Sequence, residues 1–175
     1  MESLHKAPRQ LAWVDLGKWQ YELRYDKRVF AAMQWRKMSG SLASGQTGDG
    51  QWTFKRNGFF RPYLTIRTEE SERDLMTLRK AGREEIAVGP TGAIYYWGRS
   101  GRRTKEYAFF DKKRNLIAAF TFERKMFKRS GEVFLGAAAS RCADLGMLVL
   151  LGWHRLMLAA IDEESSAGAV IVAMG

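Results

Sequence analysis

Cysteine is almost missing from this 175-residue chain: Cys142 stands alone, which excludes an internal disulfide framework and a cysteine-built zinc site and points to a reducing compartment. Proline is scarce, with three in all, and there are only two histidines, His5 and His154. No signal-peptide hydrophobic run opens the sequence, because Met1 to Lys18 mixes Glu2, His5, Lys6, Pro8 and Arg9 with scattered apolar groups. A cytoplasmic protein is expected, with residues 1–17 as an N-terminal tail. A membrane-length apolar run is missing too: Leu145 to Trp153 is the longest part of the apolar C-terminal stretch free of ionisable groups, between Asp144 and His154-Arg155, whereas a span needs roughly 20 predominantly apolar residues.

What is present is a folding composition. With 46% hydrophobic, 13% aromatic and 27% charged residues, the chain can bury a core as one domain of ordinary size and is not extended disorder. From Trp19 to Leu135 it reads as short period-two runs. Trp19, Tyr21, Leu23 and Tyr25 alternate with Gln20, Glu22 and Arg24, so one face is aromatic and the other polar, as a half-buried antiparallel strand requires. After a turn at Asp26-Lys27, Val29, Ala31, Met33 and Trp35 repeat the pattern. Further runs follow at 40–43, 51–55, 63–67, 74–79, 85–88, 93–97, 106–110, 116–122 and 132–135. That is about 11 strands at the spacing of a sandwich or barrel. Asp49-Gly50, Asn57-Gly58, Thr91-Gly92, Ser100-Gly101 and Ser130-Gly131 supply hairpin turns.

After Gly136 the pattern changes to good helix formers. Leu145, Met147, Leu148, Val149, Leu150, Leu151, Trp153, Leu156, Met157, Leu158 and Ile161 cover every side of a helical wheel, so this helix has no solvent face and must be buried. A closed barrel of eleven or twelve strands is wide enough to surround a helix, whereas eight strands fill their own interior. The expected fold is therefore mainly β: a closed antiparallel barrel of about 11–12 strands over residues 18–136, within a single domain 18–164, around a buried hydrophobic helix at 139–164. A helix laid across an open α+β sheet is the alternative. Residues 165–175 read as a tail, in which Ala169 to Met174 suits an extra strand, a partner contact or no structure.

Many short strands followed by one apolar helix resemble the tubby C-terminal-like superfamily, which includes tubby proteins, LURP-one-related proteins and phospholipid scramblases. The resemblance covers Trp19 to Glu164, and the hairpin Asp49-Gly50-Gln51-Trp52-Thr53-Phe54-Lys55-Arg56-Asn57-Gly58 is similar to those of bacterial members. It implies a twelve-stranded barrel threaded by the helix Ala139 to Glu164. The chain lacks the C-terminal signature of tubby proteins. It also lacks the proline-rich N-terminal region, cysteine cluster and acidic calcium-binding segment of scramblases, so no family binding residue carries over.

Catalytic constellations are scarce. His154 lies within the apolar helix, where it reads as a hydrogen-bonded core histidine, and Cys142 as a small buried apolar residue. Glu69, Glu70 and Glu72 form a solvated acidic loop, and Gly89-Pro90-Thr91-Gly92 is a turn rather than a phosphate loop. No catalytic residue, metal or cofactor is expected, and the protein is read as a non-enzyme.

Charge is more informative. The formal net charge is +10, which attracts polyanions of any kind. Most of the excess lies in three connections: Arg99, Arg102, Arg103 and Lys105; Lys112, Lys113 and Arg114; and Arg124, Lys125, Lys128 and Arg129. In an up-and-down sheet alternate connections share an end, so the first and third form one basic rim. The expected partner is anionic membrane phospholipid, bound through these turns, with Met126 and Phe127 as an apolar tip. That makes the protein cytoplasmic and peripheral at the membrane. The second reading is single-stranded nucleic acid, stacked on Tyr95, Tyr96 and Trp97 beside Arg99, Arg102 and Arg103. The third is an interaction scaffold whose basic turns only keep hairpins solvated.

Overall fold

The computed structural model describes residues 1–36, 40–68, 71, 73–101, 105–125 and 128–173, with side chains to residue 166. Its strands are β1 (Gln10–Gly17), β2 (Gln20–Tyr25), β3 (Arg28–Trp35), β4 (Ala43–Thr47), β5 (Gly50–Asn57), β6 (Tyr63–Arg67) and β7 (Met76–Ala81). They continue as β8 (Glu84–Val88), β9 (Ile94–Arg99), β10 (Tyr107–Phe110), β11 (Leu116–Phe120), β12 (Glu123–Lys125) and β13 (Lys128–Leu135), and the helix α1 (Leu145–Ala173) ends the order. From β1 to β11 each strand pairs antiparallel with the one before it. The ring closes where β13, already paired with β11, also pairs with β1, setting Leu11 opposite Val133 and Trp13 opposite Gly131. Closure removes the open-sheet alternative.

β12 is not a separate stave. Glu123 faces Ser130 in the same register that sets Phe120 opposite Val133, so β11 and β12 are one strand interrupted at Thr121-Phe122. Together with β13 they form a long hairpin. The barrel therefore has twelve staves, as expected. Alternation places the inward side chains: Leu11 and Trp13, Tyr21 and Leu23, Met33 and Trp35, Trp52 and Phe54, and Tyr95 and Trp97 are all buried.

α1 fills the lumen. Every residue from Leu145 to Leu158 except Arg155 is buried. Against the sequence expectation of too short and punctuated a run, Leu145–Ser166 is by length and composition apolar enough to cross a membrane, yet 78% of its most apolar window is buried inside the protein. The helix fits because Phe120 lies flat against Gly152, where an added Cβ would come within 2.5–2.9 Å of its ring atoms. At 29 residues the helix is about 43 Å long. Strands of at most eight residues, tilted to the axis, cannot enclose that length. α1 therefore enters at one mouth, called proximal, and projects from the other, called distal, from about Ile161 onward. The connections after β1, β3, β5, β7, β9 and β12 lie at the distal mouth.

The structure corrects four boundaries. The expected tail 1–17 holds a short 3-10 turn at Leu4–Lys6 and the closing strand β1. The run at 40–43 is displaced to β4. Ser130-Gly131 lies inside β13, which pairs with β12 up to Lys125 opposite Lys128. The helix begins at Leu145 rather than 139, after a 3-10 turn at Ala139–Arg141, and continues to Ala173 through most of the expected tail.

Candidate functional site at the distal mouth

Strand alternation decides which basic turns meet. The connections bearing Arg99 and Lys105, and Arg124, Lys125 and Lys128, fall at the distal mouth, while Lys112 and Lys113 stand exposed at the proximal one. Arg102, Arg103, Met126 and Phe127 lie outside the described residues, as do Glu69, Glu70 and Glu72.

Arg99, Lys105 and Arg124 surround a cleft of about 470 Å³ where α1 leaves the barrel. Its apolar wall is Trp97, Tyr107, Phe122, Leu156 and Ala160, and Arg155 and Glu163 from the helix complete it. Two of its cations are already engaged: Arg155 with Glu85 at 2.9 Å and Arg124 with Glu164 at 3.0 Å. Arg99 and Lys105 make no ion pair with a described residue, although the Arg99 guanidinium lies 5.9 Å from the Tyr107 ring centre. The site thus offers exposed positive charge above an aromatic and aliphatic floor. Arg155 was legible in the sequence only as an interruption of the apolar stretch.

Two expected binding residues have other work. Arg129 is a latch: it donates to Glu164 at 2.9 and 3.0 Å, lies 4.5 Å above the Trp19 ring and has a side chain only 12% exposed. Arg114, at a positive φ of 65°, lies over Tyr96 at 3.9 Å and pairs with Glu84 at 2.6 Å. That pairing holds the Glu84 carboxyl below its ordinary range. The aromatic trio is also occupied. Tyr95 and Trp97 point into the core, and Tyr96 is covered by Arg114. The Tyr95 hydroxyl donates to Asp144 at 2.8 Å, and burial, followed by that bond, raises its pKa.

His154 is fully buried. Its Nε2 donates to the Ser41 carbonyl at 2.8 Å, its ring stacks on Trp35, and burial pushes its pKa down to about 4. Cys142 lies before the first turn of α1, with its thiol pKa raised by burial, whereas His154 sits nine residues into the helix, about 13 Å of rise beyond Leu145. The two cannot act together. Among the described residues no group of three or more His, Cys, Asp or Glu could hold a metal ion.

No family model, curated protein or solved structure matches this chain in comparison with known proteins. Fold and site define its class alone: a closed twelve-stranded antiparallel barrel with a buried central helix.

Proposed function

We propose that this protein is a non-enzymatic binding module of the tubby C-terminal-like kind that docks on anionic membrane phospholipid with its distal mouth. Charge segregation carries the reading. Among the described residues the distal connections bear Lys18, Arg36, Arg61, Arg83 and Lys105 against one acid, Glu106, and Lys125 and Lys128 flank the last of them, while in the proximal connections Asp26, Asp49, Asp74, Asp111 and Asp144 nearly balance Lys27, Arg73, Lys112, Lys113, Arg114 and Arg141. A basic residue near an anionic bilayer contributes about 1 kcal/mol, so a one-ended array favours docking in one orientation. The cleft adds a place for a headgroup beside apolar surface. Twelve strands around an apolar helix support the kinship, and the protein would then be cytoplasmic and peripheral. The occupied aromatic trio counts against base stacking, and the dry, neutral His154 counts against a general base.

Co-sedimentation with phosphatidylserine-containing vesicles, phosphatidylcholine vesicles and a single-stranded oligonucleotide at matched salt tests this. Preferential binding to the anionic vesicles, lost in Arg99→Glu/Lys105→Glu, is expected. Equal sedimentation of wild type and variant, or preference for the oligonucleotide, would remove the proposal.

A further inference from the structure

Phe59 and Phe60 are each 91% exposed, packed only edge-to-face on one another at 5.2 Å between ring centres. Burying a phenylalanine ordinarily stabilises the fold by roughly 1.5–3 kcal/mol, so two adjacent rings almost wholly in water stand out from the other described aromatics, the most exposed of which is Phe134 at 44%. The loop that holds them is built to project them. Gly58 has φ +78°, and a Cβ there would lie 2.8 Å from the Arg61 carbonyl oxygen. The backbone therefore doubles back tightly and turns both rings outward, and Pro62 stiffens the return into β6.

The loop joins β5 to β6 and so lies at the distal mouth. In the strand order it is half a circuit from the basic hairpin of β12 and β13. Between them emerges α1, braced on the loop side by Arg56 with Asp162 at 2.6 Å and on the hairpin side by Arg129 with Glu164. Apolar tip and basic tip thus stand on opposite sides of one mouth, which is the arrangement of a surface meeting a lipid interface end-on. Exposed Arg61 beside the rings supplies charge of the sign that anionic headgroups attract.

We propose that Phe59 and Phe60 insert into the acyl boundary of an anionic bilayer and fix the barrel's end-on orientation there, a proposal that rests on the membrane reading above. Insertion adds apolar burial to an electrostatic attraction, so the two contributions separate by salt.

The test uses vesicles of phosphatidylserine and phosphatidylcholine. Phe59→Ser/Phe60→Ser is expected to bind about tenfold or more weakly with an unchanged salt dependence and an unchanged urea midpoint. Phe60→Cys carrying an environment-sensitive fluorophore is expected to shift blue on binding and to be quenched by brominated acyl chains; buried Cys142 stays unlabelled. If the protein sediments with vesicles while the label at 60 keeps its aqueous emission, insertion is overturned and surface docking stands. If wild type fails to sediment, both fall. If wild type is dimeric and the double serine variant monomeric without vesicles, the rings form a self-contact and the proposal is wrong.

Discussion

His154 sits among Trp35, Phe54 and Ser41 with no exposed surface. Burial is the main reason its pKa falls from 6.5 to about 4, and the nearby charges of Arg56 and Arg155 lower it further. The unfolded chain binds this proton below about pH 6.5 and the folded chain only below about 4, so between those values unfolding takes up a proton. Stability is full above 6.5 and falls with pH across that window, by about 3 kcal/mol for this group. His154→Leu cannot take up the proton. It is expected to cost about 1–3 kcal/mol at pH 7 through the unpaired Ser41 carbonyl, but to lose stability less steeply on acidification. Urea midpoints of both proteins at several pH values decide this, since the carboxylates titrate in both, and parallel slopes would acquit the histidine. Gly152 poses a packing question. Ala is the better helix former by roughly 1 kcal/mol, but its Cβ meets Phe120, which Trp97 and Phe109 hold in place. Overpacking should prevail, with Gly152→Ala destabilising by about 1–3 kcal/mol in a thermal melt.

At the scale of elements, α1 is tied to the wall from one mouth to the other: Asp144 to Tyr95, His154 to Ser41, Arg155 to Glu85, and Glu164 to both Arg124 and Arg129. The last two ties look alike by distance and differ by burial. Arg129→Ala takes two hydrogen bonds from the half-buried Glu164 carboxylate, leaves it only the exposed Arg124, and empties the space over Trp19, which should cost about 1–3 kcal/mol. Arg124, 51% exposed, should change stability by no more than about 0.5 kcal/mol when replaced by Ala. Similar urea midpoints for the two variants would show that burial does not distinguish the pairs. These ties also mark how far the sequence could be read. The buried helix was legible because its apolar residues encircle the wheel, and the barrel because alternation recurs at short spacing. β1 was not, because past Leu11 and Trp13 the alternation breaks: Asp15 takes the next position on that face and the apolar Val14 and Leu16 fall on the other. Nor was the helix end, because Ser165 and Ser166 resemble breakers but bond back to the Ile161 and Asp162 carbonyls. For the site, the number of cations was legible and their employment was not. Arg114 and Arg129 find acids 30 and 35 positions away, pairings set by the packing of β8, β9 and β10 side by side and by the path of α1 past β13.

At the scale of the whole molecule, net charge and charge placement make separate claims. A formal +10 would draw the protein to any polyanion whichever end faces it, whereas segregation to the distal mouth makes binding depend on where a charge sits. Two exposed lysine pairs allow an equal change of charge at opposite ends. Lys112 and Lys113 lie in the proximal turn between β10 and β11, and Lys125 and Lys128 pair at the distal ends of β12 and β13. Lys112→Glu/Lys113→Glu and Lys125→Glu/Lys128→Glu alter the formal charge identically and touch no core residue. With about 1 kcal/mol per basic residue at an anionic surface, the distal pair is expected to weaken binding to phosphatidylserine-containing vesicles about thirtyfold or more. The proximal pair, held a barrel's length from the bilayer and beyond a Debye length of about 8 Å at physiological salt, should shift it less than about threefold. Equal losses from the two pairs would mean that total charge governs the attraction and that the barrel has no membrane-facing end.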